Sequence, residues 1–238
     1  RHFGTYAALT CPSAPTEGAE LMADLLTWMF VIDDHYERAA GLAADGPLIA
    51  ALADVSMRLG NMSTREWRAR FHRHFAAVLA AATEEIGWRE TGSPPGFDEY
   101  VTLRRNSGAM KAVFDVLEVC LNSELPSDSY HSDVYQEIVS AGTDVVTWTN
   151  DLYSYEKEVA AGLMTNMVLV LNRSGLDLSC AADETVRLIG ERAGALRDAV
   201  ASLSADDPAF RCATAVCDWV AGSNRWHATG TDRYRPTE

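Results

Sequence analysis

The chain lacks any apolar run long enough to cross a membrane: the stretch Leu25 to Ile32, for one, stops at Asp33, far short of the ~18 residues a spanning helix needs. It also lacks cysteines paired at metal spacing. Cys11, Cys120, Cys180, Cys212 and Cys217 are odd in number and form no C-x-x-C pair, so they read as reduced thiols packed as small hydrophobes in a cytoplasmic protein. Basic residues are scarce, 20 against 34 acidic for a net charge of -14, which sets the chain against nucleic acid and anionic membrane as general partners. Alternating β-branched runs, hairpin signatures, repeats and low-complexity tracts are missing as well, which leaves helices as the building material. Arg1-His2-Phe3-Gly4 carries neither an initiator Met nor a signal-peptide pattern, so the natural start is expected to lie upstream.

What is present suits one globular domain over residues 1–238. The composition is 47% hydrophobic and 23% charged, enough to bury a substantial core. Apolar residues recur at helical spacing in Leu21 to Arg38, Trp67 to Glu85, Phe97 to Val119, Val134 to Glu158, Asn166 to Leu171, Glu184 to Leu203 and Ala209 to Ala221. Turn chemistry separates them, at Gly41 to Pro47, Gly92 to Gly96, Asn122 to Ser129, Asn172 to Ser179 and Ser204 to Pro208. Ser63 ahead of Glu66 reads as a capping box opening the Trp67 helix. Gly108 and Gly142 fall inside helical patterns, where glycine means either close packing or a break. The pattern predicts an all-α, single-domain helical bundle, whose sites are built from side chains on facing helices.

The densest chemistry lies in Asn150-Asp151-Leu152-Tyr153-Ser154-Tyr155-Glu156-Lys157-Glu158. In a helix Asn150, Ser154 and Glu158 share one face at i, i+4 and i+8. An amide oxygen, a hydroxyl and a carboxylate in line suit a hard divalent cation, Mg2+ above all. Upstream, Asp33, Asp34 and Glu37 form a second acidic cluster, with Asp33 and Glu37 one turn apart, directly after the apolar Trp28-Met29-Phe30-Val31-Ile32. Carboxylates beside a core are costly unless paired, and two acidic edges facing each other can hold a diphosphate through bridging metals.

These two motifs, D-D-x-x-E and N-D-x-x-S-x-x-K-E, resemble those of the class I terpene synthases, the bacterial cyclases. Arg104 stands 46 residues before Asn150, the spacing of that family's diphosphate-sensing arginine, with Gly108 at its effector position, and Arg233-Tyr234 matches its RY pair. The resemblance runs from about Trp28 to Tyr234. It implies a helical bundle of the class I terpenoid synthase type with a central active-site cavity, and a distance from Asp33 to Arg104 that is compressed, with residues missing near 41–47. It implies a trinuclear Mg2+ cluster held by Asp33, with Asp34 and Glu37 at the same edge, and by Asn150, Ser154 and Glu158. Arg104, Lys157, Arg233 and Tyr234 are then the diphosphate donors, the last two on a lid. The family places an acidic or polar linker three residues after the sensing arginine, and here that residue is Ser107. Phe30, Trp148 and Trp226 are candidates for an aromatic wall that stabilises cations by ~0.5–2 kcal/mol per ring, or are plain core.

The implied activity is ionisation and cyclisation of an acyclic isoprenoid diphosphate, farnesyl first and geranylgeranyl next, to a cyclic terpene with release of diphosphate. A chain-elongating prenyltransferase of the same fold is the near rival, but it calls for aspartates where Asn150 and Ser154 stand. A non-catalytic acidic helical module binding cations or a protein partner is the distant rival, and it leaves Arg104 and Arg233-Tyr234 without a purpose. No membrane span and no nucleic-acid partner are expected, and monomer and homodimer stay equally open.

Overall fold

The computed structural model describes residues 3–39 and 46–234, with the side chains of 35–39 excepted. The expectation for Glu37 thus falls on a side chain outside the described residues, as does most of the compressed stretch near 41–47. Among the described residues there is no strand. The helices are α1 (Phe3–Thr10), α2 (Thr16–Ala39), α3 (Gly46–Met62), α4 (Arg65–Thr91), α5 (Phe97–Ser107), α6 (Met110–Cys120), α7 (Ser127–Tyr130), α8 (Asp133–Ala160), α9 (Met167–Arg173), α10 (Leu178–Ala201) and α11 (Phe210–Arg225), and a π-helical turn (Trp226–Gly230) closes the series.

Local chemistry sets the boundaries. Thr64, not Ser63, caps α4: its hydroxyl accepts from Trp67 N at 3.2 Å, while Ser63 Oγ donates back to Leu59 O at 2.6 Å. Ser63 lies one residue too early, still bonded to the end of α3, and so cannot take the cap. Ser132, Asn166 and Asp177 cap α8, α9 and α10 in the same way. Pro47 falls in the first turn of α3 rather than in a loop, where its missing N–H has no intrahelical partner to lose. The pattern from Phe97 to Val119 is two helices. Ala109, at φ 59°, is left-handed and separates α5 from α6.

Helix α8 runs through the centre, packed against α5, α6, α9, α10 and α11. Nearly every residue from Ile138 to Asp151 is buried, so the polar groups on this helix need partners from its neighbours. Asp144, fully buried, accepts from Arg105 Nε and Nη2 and from Arg192 Nε, all at 2.7 Å. Arg192 also reaches Glu137 at 2.8 Å, so one carboxylate clamps α5, α8 and α10 together. Arg70 does the same between α4 and α6, meeting Asp115 at 2.9 Å and Glu118 at 2.5 Å beneath the ring of Tyr130. The main core joins α1, α2, α6, α8 and α11, and a smaller one around Tyr100, Trp148 and Met167 lies under α9 and α10.

Helices α1 and α11 approach closely. A Cβ on Gly222 would sit 2.1 Å from the backbone oxygen of Leu9, and backbone cannot yield as a side-chain tip does. Gly60 in α3 faces open space. Gly222→Ala should therefore lower stability by about 1–3 kcal/mol, and Gly60→Ala should raise it by about 0.5–1 kcal/mol. Urea titrations of the two variants beside the parent check both signs.

Candidate active site

The ends of α2 and α5, the last turns of α8 and the segment after α11 converge on one cavity of about 450 Å³. Its mouth is polar, lined by Asp33, Arg104, Asn150, Ser154, Lys157, Glu158, Arg233 and Tyr234. Its depth is apolar, with Leu25, Met29, Phe30, Phe71, Phe75 and Val113 among its walls. Gly108 lines it too, at the break between α5 and α6. A Cβ there would lie 2.3 Å from Thr147 Cγ2 on α8, so only glycine lets α5 end this close to the central helix. Gly142, by contrast, serves packing alone, against Val216 of α11.

Arg104 sits in the last turn of α5 and is held from α8. Its Nη2 donates to Asp151 Oδ1 at 2.6 Å and to Asn150 Oδ1 at 2.9 Å. Asp151 has no exposed surface, and its other oxygen accepts from the Tyr100 hydroxyl and from Met167 N at 2.8 Å. Burial alone would lower the arginine's pKa, but Asp151, Tyr100, Glu158 and Glu85 outweigh it and push the pKa up, so Arg104 is a permanent cation. With Ser107 at the linker position, the acid that fixes the arginine comes from another helix, while Asn106 lines a groove between α4 and α5. Arg104 Nε is buried and makes no hydrogen bond. An unpartnered donor on a fixed cation at a cavity wall suits an anionic ligand.

The oxygen stripe on α8 faces the cavity. Ser154 Oγ donates to Asn150 O at 2.8 Å, leaving its lone pairs free to accept or ligate. Glu158 Oε2 accepts from Asn166 Nδ2 at 2.8 Å, and Asn166 also donates to Asp151 O at 2.8 Å. Burial, with the charge of Asp151, pushes the Glu158 carboxyl up to about 8 despite Arg104 and the Asn166 amide. Burial outweighs the pull of Arg104, so the carboxylate gains from a further cation. Three oxygen donors of three chemical types with a proton-hungry carboxylate among them fit Mg2+. Among the described residues no three His, Cys, Asp or Glu side chains converge on a point.

On the opposite edge Arg233 spans both aspartates of α2. Its Nη2 donates to Asp33 Oδ2 at 2.7 Å and its Nη1 to Asp34 Oδ1, and its guanidinium lies 5.2 Å from the Phe30 ring centre. Asp33 lines the cavity with its side chain about half exposed, whereas Asp34 is buried behind it. Tyr234 OH accepts from Asn150 Nδ2 at 2.8 Å. The tail thus bridges the two acidic edges.

Of the aromatic candidates, Phe30 is in the wall. Trp226 stands behind it, fully buried against Tyr6 and Phe30 at 4.6 and 5.5 Å. Trp148 is elsewhere: at the i−2 position from Asn150 it points to the far side of α8, into the small core with Tyr100 and Met167. Three residues that no motif singles out join the site. They are Glu85 from α4, whose pKa burial raises against Arg104, Asn166 at the start of α9, and His227 in the π-helical turn. Glu85 sits far from the motifs in sequence, whereas Asn166 follows Glu158 by eight residues and His227 lies shortly before Arg233; tertiary packing brings all three in.

Comparison with known proteins fits this geometry. The chain is 29% identical to a (-)-delta-cadinene synthase of Streptomyces clavuligerus over 98% of its own length and 81% of that protein's. It is 28% identical to a (+)-T-muurolol synthase, (2E,6E)-farnesyl diphosphate cyclizing, of Roseiflexus castenholzii, over 99% and 81%. In fold it resembles the linalool/nerolidol synthase of Streptomyces clavuligerus, with a TM-score of 0.85 over 93% of this chain and 86% of that one at 22% identity. It also resembles the germacradien-4-ol synthase of Streptomyces citricolor, with a TM-score of 0.76 over 94% and 82% at 25% identity. Residues 24–193, more than half of the chain, match the model of terpene synthase family 2, C-terminal metal binding, and the chain belongs to that family, as a class I terpene synthase.

Proposed function

We propose that the protein, acting as one α-domain, converts farnesyl diphosphate to a cyclic sesquiterpene in an Mg2+-dependent reaction. The observation that carries this reading is the single cavity with a cationic and oxygen-rich mouth over an apolar floor. The named relatives support it, since one of them cyclises farnesyl diphosphate. Asp33 on one edge and Asn150, Ser154 and Glu158 on the other would hold Mg2+, which supplies Lewis-acid stabilisation of the leaving diphosphate. Arg104, Lys157, Arg233 and Tyr234 donate to the diphosphate oxygens. The allylic carbon–oxygen bond breaks with both electrons going to diphosphate, and charge developing there meets donors already in place. The allylic cation left on carbon cyclises against Phe30 and its neighbours, and loss of a proton or capture of water ends the reaction. The apolar wall excludes bulk water until then.

Incubation with Mg2+ and geranyl, farnesyl or geranylgeranyl diphosphate, alone and with isopentenyl diphosphate, tests the reading by gas chromatography of the volatile products. A cyclic C15 product from farnesyl diphosphate is expected, and an elongated diphosphate or no turnover in any arm contradicts it.

Glu158 carries a pH signature. Its pKa is raised from 4.5 to about 8 in the fold, so its stabilising protonated form is complete below about 4.5 and is lost as pH climbs through about 8. Metal-free Glu158→Gln should therefore melt higher than the parent at pH 9, and the gap should close by pH 5. The same variant should lose turnover at least ~100-fold, the scale for removing one group that stabilises a developing charge.

Arg104 and Arg105 share a chemistry and differ in position. Arg104→Lys should cut kcat/KM by at least ~100-fold, since an ammonium cannot make the same paired hydrogen bonds. Arg105→Lys weakens the buried Asp144 clamp instead. It should lower the melting midpoint and leave kcat/KM within about 3-fold of the parent. Steady-state kinetics and calorimetric melting on both variants separate the two.

A further inference from the structure

The side chain of Asn150 reads as an oxygen ligand only if its amide is turned the right way, and an amide can equally well present nitrogen. Arg104 fixes one side. A guanidinium only donates, so the atom 2.9 Å from Arg104 Nη2 is Oδ1. The opposite side faces His227 Nε2 at 3.2 Å and Tyr234 OH at 2.8 Å.

His227 is itself constrained. Its Nδ1 lies 2.8 Å from the backbone oxygen of Ser223, and a carbonyl oxygen only accepts, so Nδ1 carries a proton. The ring is buried between Trp226, Tyr153 and Tyr234, stacked on the last with centroids 5.4 Å apart. With Oδ1 of Asn150 fixed by Arg104, the atom 3.2 Å from Nε2 is the amide nitrogen, which only donates, so Nε2 accepts and its lone pair is aimed at Asn150. The chain Ser223 O, His227 Nδ1–H, His227 Nε2, Asn150 Nδ2–H turns Oδ1 away from His227 and toward Arg104 at the cavity wall.

The other two partners of this amide are the ones that the proposed reaction calls away, because Arg104 and Tyr234 turn to the diphosphate. His227 is anchored to backbone and remains. Resting on the function proposed above, we propose that His227 is a positioning residue that fixes the amide of Asn150 with its oxygen toward the metal and diphosphate.

Two measurements test this. Long-range 1H–15N NMR of the histidines in the parent protein, metal-free at pH 7, should show His227 protonated on Nδ1 and bare on Nε2; the opposite tautomer would overturn the proposal whatever any variant does. Calorimetry of Mg2+ with inorganic diphosphate should show binding weakened about 10- to 100-fold in His227→Phe, the usual cost of losing a group that orients a metal ligand. His227→Gln, whose Oε1 can accept in the place of Nε2, should recover most of that loss. Equal binding by parent and His227→Phe would refute the orienting role. A parent protein that binds neither Mg2+ nor diphosphate would instead count against the proposed function, and the tautomer would still decide the role of His227.

Discussion

A carboxylate with no exposed surface holds this site together. Asp151 accepts from Arg104 of α5, from the Tyr100 hydroxyl on the same helix and from the backbone of Met167 at the start of α9. A buried charge without such partners costs several kcal/mol, so α5, α8 and α9 come together in one register or leave Asp151 stranded. The same ion pair aims a permanent cation at the cavity wall. On the proposed function, structural necessity and ligand recognition are one interaction, because the acid that stabilises the helix junction also keeps Arg104 where a diphosphate would arrive.

The rest of the mouth follows a related logic. With a net charge of -14, the protein repels polyanions at long range, and attraction must come from a few placed cations and from metal. Those cations already have acidic or amide partners: Arg233 spans Asp33 and Asp34, and Arg104 takes Asp151 and Asn150. Bound metal would compete for the acidic partners and free donors for the diphosphate. The exchange is close to balanced, since a hydrogen bond to carboxylate gives way to a hydrogen bond to phosphate oxygen. Beneath the mouth the lining is mostly apolar, with Phe30, Phe71 and Phe75 set among aliphatic side chains.

Much of this geometry is legible in the sequence where the residues run along one helix. The stripe of Asn150, Ser154 and Glu158 needs only the helical repeat, and the apolar run ending at Asp33 needs only the cost of burying a carboxylate. What crosses between helices was not legible. The partner of Arg104 lies on α8 and not three residues downstream, His227 arrives through a π-helical turn after α11, and Glu85 comes from α4. Helix ends were misread where turn residues do double duty: Pro47 begins α3, and Thr64 takes the cap that Ser63 promised. Trp148 was a candidate for the cavity through nearness in sequence to Asn150, but two residues along a helix is about half a turn, and it faces the other way.

The dependence of the site on Asp151 can be measured with one conservative change. Asp151→Asn keeps the shape and removes the charge, leaving Arg104 buried beside an uncharged amide. Unfolding in urea should show a loss of about 3–5 kcal/mol, the cost of breaking one member of a buried pair, and the folded fraction that remains should have lost most of its kcat/KM. A variant with parental stability and parental kcat/KM would contradict the role given to Asp151.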